Sequence, residues 1–292
     1  MHITRGQWLA LASAACFGTL TISGRYAYAD GVEVSALMAW RFGASAVAIW
    51  AFLLISRRNL RLPLPVIARL FGVGALLLAP EVTSFFNGLA SPGMTAGLTE
   101  TIFFIYPVWA VLLFGRRSKA QHRVAAVIAA VGVGLTAGGL EGASLSGVGW
   151  LLLASVLYAT YVVLSGKWVD GVDPWVGSAW MLTGAGVVLV AIGWVTGSRG
   201  PTSTAGWLAV ASAIIIGTLI AYALLYAALH VTRADTVAVL TTAEPVVAIL
   251  LGRWLWNETM NFQQVVGVVL ILAAVAYLLR SDAKRLPPPE FH

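Results

Sequence analysis

Apolar runs of about 20 residues, the length an α-helix needs to cross a hydrocarbon layer roughly 30 Å thick, recur from one end of this chain to the other. Only 10% of its 292 residues are charged and 59% are hydrophobic. A water-facing surface cannot be built from so few charges, since a soluble domain carries roughly 25%. The chain therefore reads as an all-α, polytopic integral membrane protein.

Gly, Pro and charge clusters divide it into ten expected spans, near 7–27, 35–55, 67–89, 94–115 and 122–140 in the first half. The second half gives 147–167, 175–196, 206–229, 234–252 and 262–280. With the N-terminus inside, 14 of the 18 Lys and Arg fall in inside loops and ends, and only Arg199 and Arg253 fall outside. The remaining two, Arg25 and Arg41, lie within spans. That asymmetry predicts cytoplasmic termini in an inner, or plasma, membrane. The basic start followed by an apolar stretch is read as the first span rather than a cleaved signal, because the stretch runs on to about Ala27.

The chain writes one element twice. Residues 106–116 read YPVWAVLLFGR and residues 244–253 read EPVVAILLGR; WLALAS at 8–13 returns as WLLLAS at 150–155. Each copy holds about 140 residues and five spans. Five is odd, so the second copy enters from the opposite side, and the expectation is two inverted repeats, 1–140 and 141–280, with a cytoplasmic tail at 281–292. Such an architecture suits a midplane site that opens to alternate sides.

These strings, together with FG at 17–18 and AWRF at 39–42, resemble the drug/metabolite transporter superfamily, and within it the ten-helix EamA-type exporters. The resemblance covers essentially the whole chain. It implies that spans one to four and six to nine surround a pathway while five and ten are peripheral. It also implies export of amino acids or related metabolites; other members carry nucleotide sugars or drugs. Glu258, after span nine, matches an acidic position of many relatives, yet the corresponding GRRSKAQHR after span four is wholly basic.

Ionisable residues inside lipid cost roughly 3 kcal/mol each on insertion scales, so they face a cavity or a partner. Arg41, Glu81 and Glu100 are expected about 10 Å below the outer surface, with Arg25 slightly shallower. Two readings stay open for them: an ion-pair network that locks helices, or a gate and polar site in which Arg25 and Arg41 act beside Glu81 and Glu100. Glu244 is expected near the midplane. The aromatics Phe17, Phe85, Tyr106, Tyr158, Tyr161 and Tyr222 are candidate wall residues, since an embedded Tyr needs a polar partner; plain helix packing is the alternative for each. Pro107 and Pro245 should interrupt spans four and nine near Phe103 and Thr241 and free carbonyls beside a solute.

Other functions find little support. No P-loop string exists, four scattered His and the single Cys16 make no metal set, and GASLSG at 142–147 is no nucleophile elbow. No cofactor is expected, and no basic groove with interleaved aromatics suggests nucleic acid despite the net charge of +6. The expected partners are a small-molecule substrate and the bilayer, with protons as a candidate coupling ion. Secondary transport, as amino-acid or metabolite export, leads; efflux of lipophilic cations is the alternative, and a receptor or scaffold without transport comes last.

Overall fold

The computed structural model describes residues 5–106, 108–109, 113, 124, 127–128, 130–132, 134–135, 142–168, 172–231, 240, 243–257 and 259–283. Its helices are α1 (Arg5–Ala29), α2 (Val34–Ile55), α3 (Leu64–Val73), α4 (Ala79–Ala90) and α5 (Ala96–Phe103), then α6 (Leu145–Trp168), α7 (Pro174–Val195), α8 (Thr204–Ile214), α9 (Ala221–Val231), α10 (Glu244–Trp256) and α11 (Phe262–Ala283). Short π-helical segments, Gly74–Leu78 and Ile215–Ile220, join α3 to α4 and α8 to α9 into two long spans.

Local chemistry sets the ends. Asp173 accepts a hydrogen bond from the Trp175 amide at 2.8 Å, Ser203 from Gly206 at 3.1 Å, and Thr95 from Leu98 at 3.1 Å, each serving an amide that the first helical turn leaves without a partner. Proline in the first turn of α3, α7 and α10 loses no bond, since that amide has no intrahelical acceptor. Inside the third span, Pro80 lacks the N–H that would reach Leu76, and the preceding turn widens to the π register.

The two halves share one plan. Val34 and Pro174 open their helices 140 residues apart, as do Leu64 and Thr204, while the π segments open at Gly74 and Ile215. Loop contacts fix directions. Asp30 accepts hydrogen bonds from the Thr202 and Ser203 amides at 3.0 and 3.3 Å, and the Ser144 amide donates to the Pro92 carbonyl at 3.0 Å, at one end of the bundle. Arg58 meets Asp173 at the other. Corresponding helices therefore run in opposite directions, which is the inverted arrangement. The repeat partners α2 and α7 also pack on each other, and α5 of the fourth span lies against α10 of the ninth.

Apolar side chains such as Val47, Leu54, Leu208 and Leu250 cover the outside, as lipid requires. Trp8, Trp150, Trp207 and Trp254 are exposed near helix ends. Small buried residues, among them Ala10, Ala14, Ala179 and Ala213, let helices approach closely in the interior.

Candidate functional site

Seventeen residues from both halves enclose a cavity of about 290 Å³ at the centre of the bundle. Its polar groups are Arg41 from α2, Glu81 from the first turn of α4, Glu100 from α5 and Glu244 from the first turn of α10. Arg41, Glu81 and Glu100 are buried. Four ionisable groups so confined need partners, because each unpaired charge in an apolar interior is expensive.

Arg41 finds its partner through the second π segment. Thr218 donates its hydroxyl to the Ala213 carbonyl at 2.9 Å, five residues back, and accepts from Arg41 Nε at 2.9 Å. The guanidinium also lies over the Phe42 and Phe86 rings, 5.0 and 5.5 Å from their centroids. Among the described residues it forms no ion pair within 4.0 Å of Glu81 or Glu100. Glu100 Oε2 is buried with no hydrogen-bond partner. A site with open polar capacity at both signs can take a ligand that carries both.

The remaining wall is mostly aromatic. Tyr106 and Tyr158 meet edge to face with centroids 4.6 Å apart, and Phe103 packs on Phe85 and Tyr158 at 5.0 and 5.1 Å. Phe17 meets Tyr222 edge to face at 5.1 Å from the opposite side. Of the residues singled out in the sequence, Phe17, Arg41, Glu81, Phe85, Glu100, Tyr106, Tyr158, Tyr222 and Glu244 all line this one space. Phe42, Phe86, Phe103 and Phe104 join them. No period in so uniformly apolar a chain distinguishes those four rings from lipid-facing ones.

Two placements differ from expectation. Arg25 does not line the cavity; its guanidinium lies over the Trp256 ring at 4.6 Å. Depth along the membrane brought it level with the other charges, but its direction around α1 takes it toward α10. Tyr161 lines a neighbouring cavity instead, 5.7 Å from Tyr158 ring to ring.

The duplicated proline strings also take a specific form. α5 ends at Phe103, and Phe104 and Ile105 form a turn in which the Ile105 amide reaches back only to Ile102. Pro107, Thr241 and Glu258 lie outside the described residues. Pro245 stands in the first turn of α10, and Ala243 precedes that helix in a turn. Glu244 thus begins a helix at the cavity wall, held there by close packing of its carbonyl on Gly18 of α1.

Comparison with known proteins agrees with this architecture. The pattern of the EamA-like transporter family matches residues 4–138 and again 145–280. The uncharacterized transporter YcbK of Bacillus subtilis (strain 168) is 24% identical over 96% of this chain and 95% of its own length. The uncharacterized inner membrane transporter YedA of Escherichia coli (strain K12) is 28% identical over 80% and 78%. A solved crystal structure with 19% identity shares the fold, with a TM-score of 0.65 over 96% of this chain and 99% of its own. With two matches that together span nearly its whole length, and a cavity between the two copies, the chain belongs to the EamA-like transporter family.

Proposed function

We propose that this transporter exports small amphipathic metabolites, amino acids foremost, by alternating access at the cavity between its two repeats. The observation that carries the reading is Arg41 set among Glu81, Glu100 and Glu244 inside an aromatic wall. A guanidinium suits a substrate carboxylate, an open carboxyl suits an ammonium, and the rings suit an apolar side chain. Repeat units of 1–140 and 141–280 would rock against each other, with five spans in each and ten in all.

The charge distribution of the loops supports cytoplasmic termini, including the 281–292 tail, in an inner membrane. Protons are the proposed coupling ion. A second reading, efflux of lipophilic cations, draws on the position of Arg25: with it outside the cavity, one cation faces three acids. Uptake of a labelled amino-acid panel into proteoliposomes, with and without a pH gradient, tests both. Amino-acid flux is expected; accumulation of a lipophilic cation with no amino-acid flux would replace the first reading by the second.

A further inference from the structure

Beside the charged cavity lies a second one of about 250 Å³, with Leu78 and Tyr222 lining both. Part of its lining stands at repeat positions of the first. At the 140-residue offset of α2 and α7, Arg41 and Phe42 of the charged cavity correspond to Met181 and Leu182 of the second. Counted from the starts of the two π segments, Leu78 corresponds to Leu219, and counted from the starts of α4 and α9, Glu81 corresponds to Ala223. At these positions the second chamber carries a thioether and a methyl group where the first carries the charges of Arg41 and Glu81.

Its other walls include Phe52 and Trp175, whose rings lie 4.9 Å apart beside the Arg58–Asp173 pair, with the Arg58 guanidinium 5.9 Å from the centre of the Trp175 ring. Along α2, Arg41 and Phe52 are separated by about 16 Å of helix rise. The chambers therefore form a sequence, charged at the bundle centre and apolar toward one end. An apolar cavity of ~150 Å³ already holds a benzene ring, so this one has room for an aryl group or a short alkyl chain.

We infer that the second chamber binds the apolar side chain of the transported amino acid while its ammonium and carboxylate remain in the charged chamber. Tyr222, in the wall between them, stands where the two parts of the solute meet. This assignment rests on the amino-acid reading and adds the substrate class: long, unbranched or aromatic side chains over short ones.

Binding of alanine, norvaline, norleucine and 2-aminooctanoate to the purified full chain tests it, with Ala48→Phe and Ala223→Phe filling the chamber from α2 and α9. In the wild type each added methylene should tighten binding about fourfold. In each filled variant the ratio of 2-aminooctanoate to alanine affinity should fall at least roughly tenfold on the same scale. Two variants from different helices keep the test decisive if one fails to fold. Alanine binding with no gain from longer chains, or a ratio unchanged in a folded variant, overturns the chamber assignment and leaves the amino-acid reading intact. No binding of any member by the wild type removes the amino-acid reading itself and the chamber assignment with it. A phospholipid that co-purifies with the wild type, and is lost from the filled variants while the ratio holds, would give the chamber to lipid and overturn the proposal.

Discussion

Arg58 donates to the Asp173 carboxylate at 2.6 Å, and at the opposite end of the bundle Arg199, one residue past the repeat position of Arg58, pairs with Glu33, the repeat counterpart of Asp173, at 3.5 Å. Glu33 and Asp173 are the N-cap residues of α2 and α7, and each pairs with an Arg just beyond the other helix's C-terminus. Antiparallel packing of repeat partners produces this reciprocity directly. It also completes both helix dipoles, with an acid at each N-terminus.

The Arg58–Asp173 pair predicts a pH dependence. Burial pushes the Asp173 carboxyl up, but hydrogen bonds from Arg58 and the Trp175 amide outweigh it and hold the group below its ordinary range. A carboxyl depressed in the folded state contributes stability that is complete above its unfolded pKa of about 4 and is lost as pH falls through the lower folded value. Because both side chains are about one-third exposed, the contribution at neutral pH should be at most about 1 kcal/mol. Asp173→Asn keeps a capable N-cap and isolates the ion pair. Thermal unfolding should show the variant slightly less stable at pH 7 and the gap closing toward pH 3; a gap that widens with acid would contradict the sign.

Thr218→Val should impair transport more than folding. The swap keeps shape and removes the acceptor that positions Arg41 Nε, a buried bond to a charged group worth about 1.5–3 kcal/mol. If Arg41 holds the substrate carboxylate, apparent affinity for amino acids should drop roughly tenfold or more, while affinity for a carboxylate-free amine of the same shape changes little. Equal losses for the two solutes would assign Thr218 to structure alone.

Much of the fold was legible because span length and loop charge are one-dimensional properties. The second and seventh spans, expected at 35–55 and 175–196, are the helices Val34–Ile55 and Pro174–Val195. The π segments were not legible: Pro80 marked one, but Ile215–Ile220 has no proline, and its register is visible only through Thr218 reaching Ala213. Arg25 shows the limit for the site. Its depth could be counted along α1, but its azimuth could not, because α1 has no polar face to orient it. The repeat offset also shifts across the π segments, from 140 at the starts of α3 and α8 to 142 at the starts of α4 and α9, so Glu81 corresponds to Ala223, a position that a single fixed offset misses.

Close backbone approach sets a third prediction. A Cβ on Gly74 would overlap the Met181 carbonyl, and one on Gly184 would overlap the Phe71 carbonyl, so α7 and the third span touch through glycine from both sides. Gly74→Ala and Gly184→Ala should each destabilise by about 1–3 kcal/mol, since backbone rather than a flexible side chain must move. Gly72→Ala is the control: nothing lies within 4 Å of its Cβ position, and alanine favours the helix by up to about 1 kcal/mol. Melting temperatures ordered Gly72→Ala, wild type, then the other two variants would bear this out. A Gly74→Ala protein as stable as wild type would mean that the α7 contact is loose.

The final prediction separates the two central carboxyls. Glu244 begins α10 at the cavity wall, with its backbone fixed against Gly18, whereas Glu100 lies within α5 and carries an oxygen without a hydrogen-bond partner. α5 and α10 are in contact and belong to different halves of the chain, so a movement of one half against the other at this contact changes the distance between these groups. A proton or a substrate ammonium can bridge them when they are close and leave when they part. Glutamine preserves shape and hydrogen bonding and abolishes ionisation. Glu244→Gln should therefore flatten the pH profile of flux and uncouple it from an imposed pH gradient, while exchange of substrate for substrate persists. Glu100→Gln should instead weaken binding at every pH, because its carboxylate has a buried oxygen with no protein partner and an ammonium would supply one. Counterflow and gradient-driven uptake, measured on both variants in the same proteoliposomes, distinguish the roles. If Glu244→Gln keeps the full rate and the full pH profile, Glu244 has no part in coupling, and its burial at the wall serves only to anchor α10.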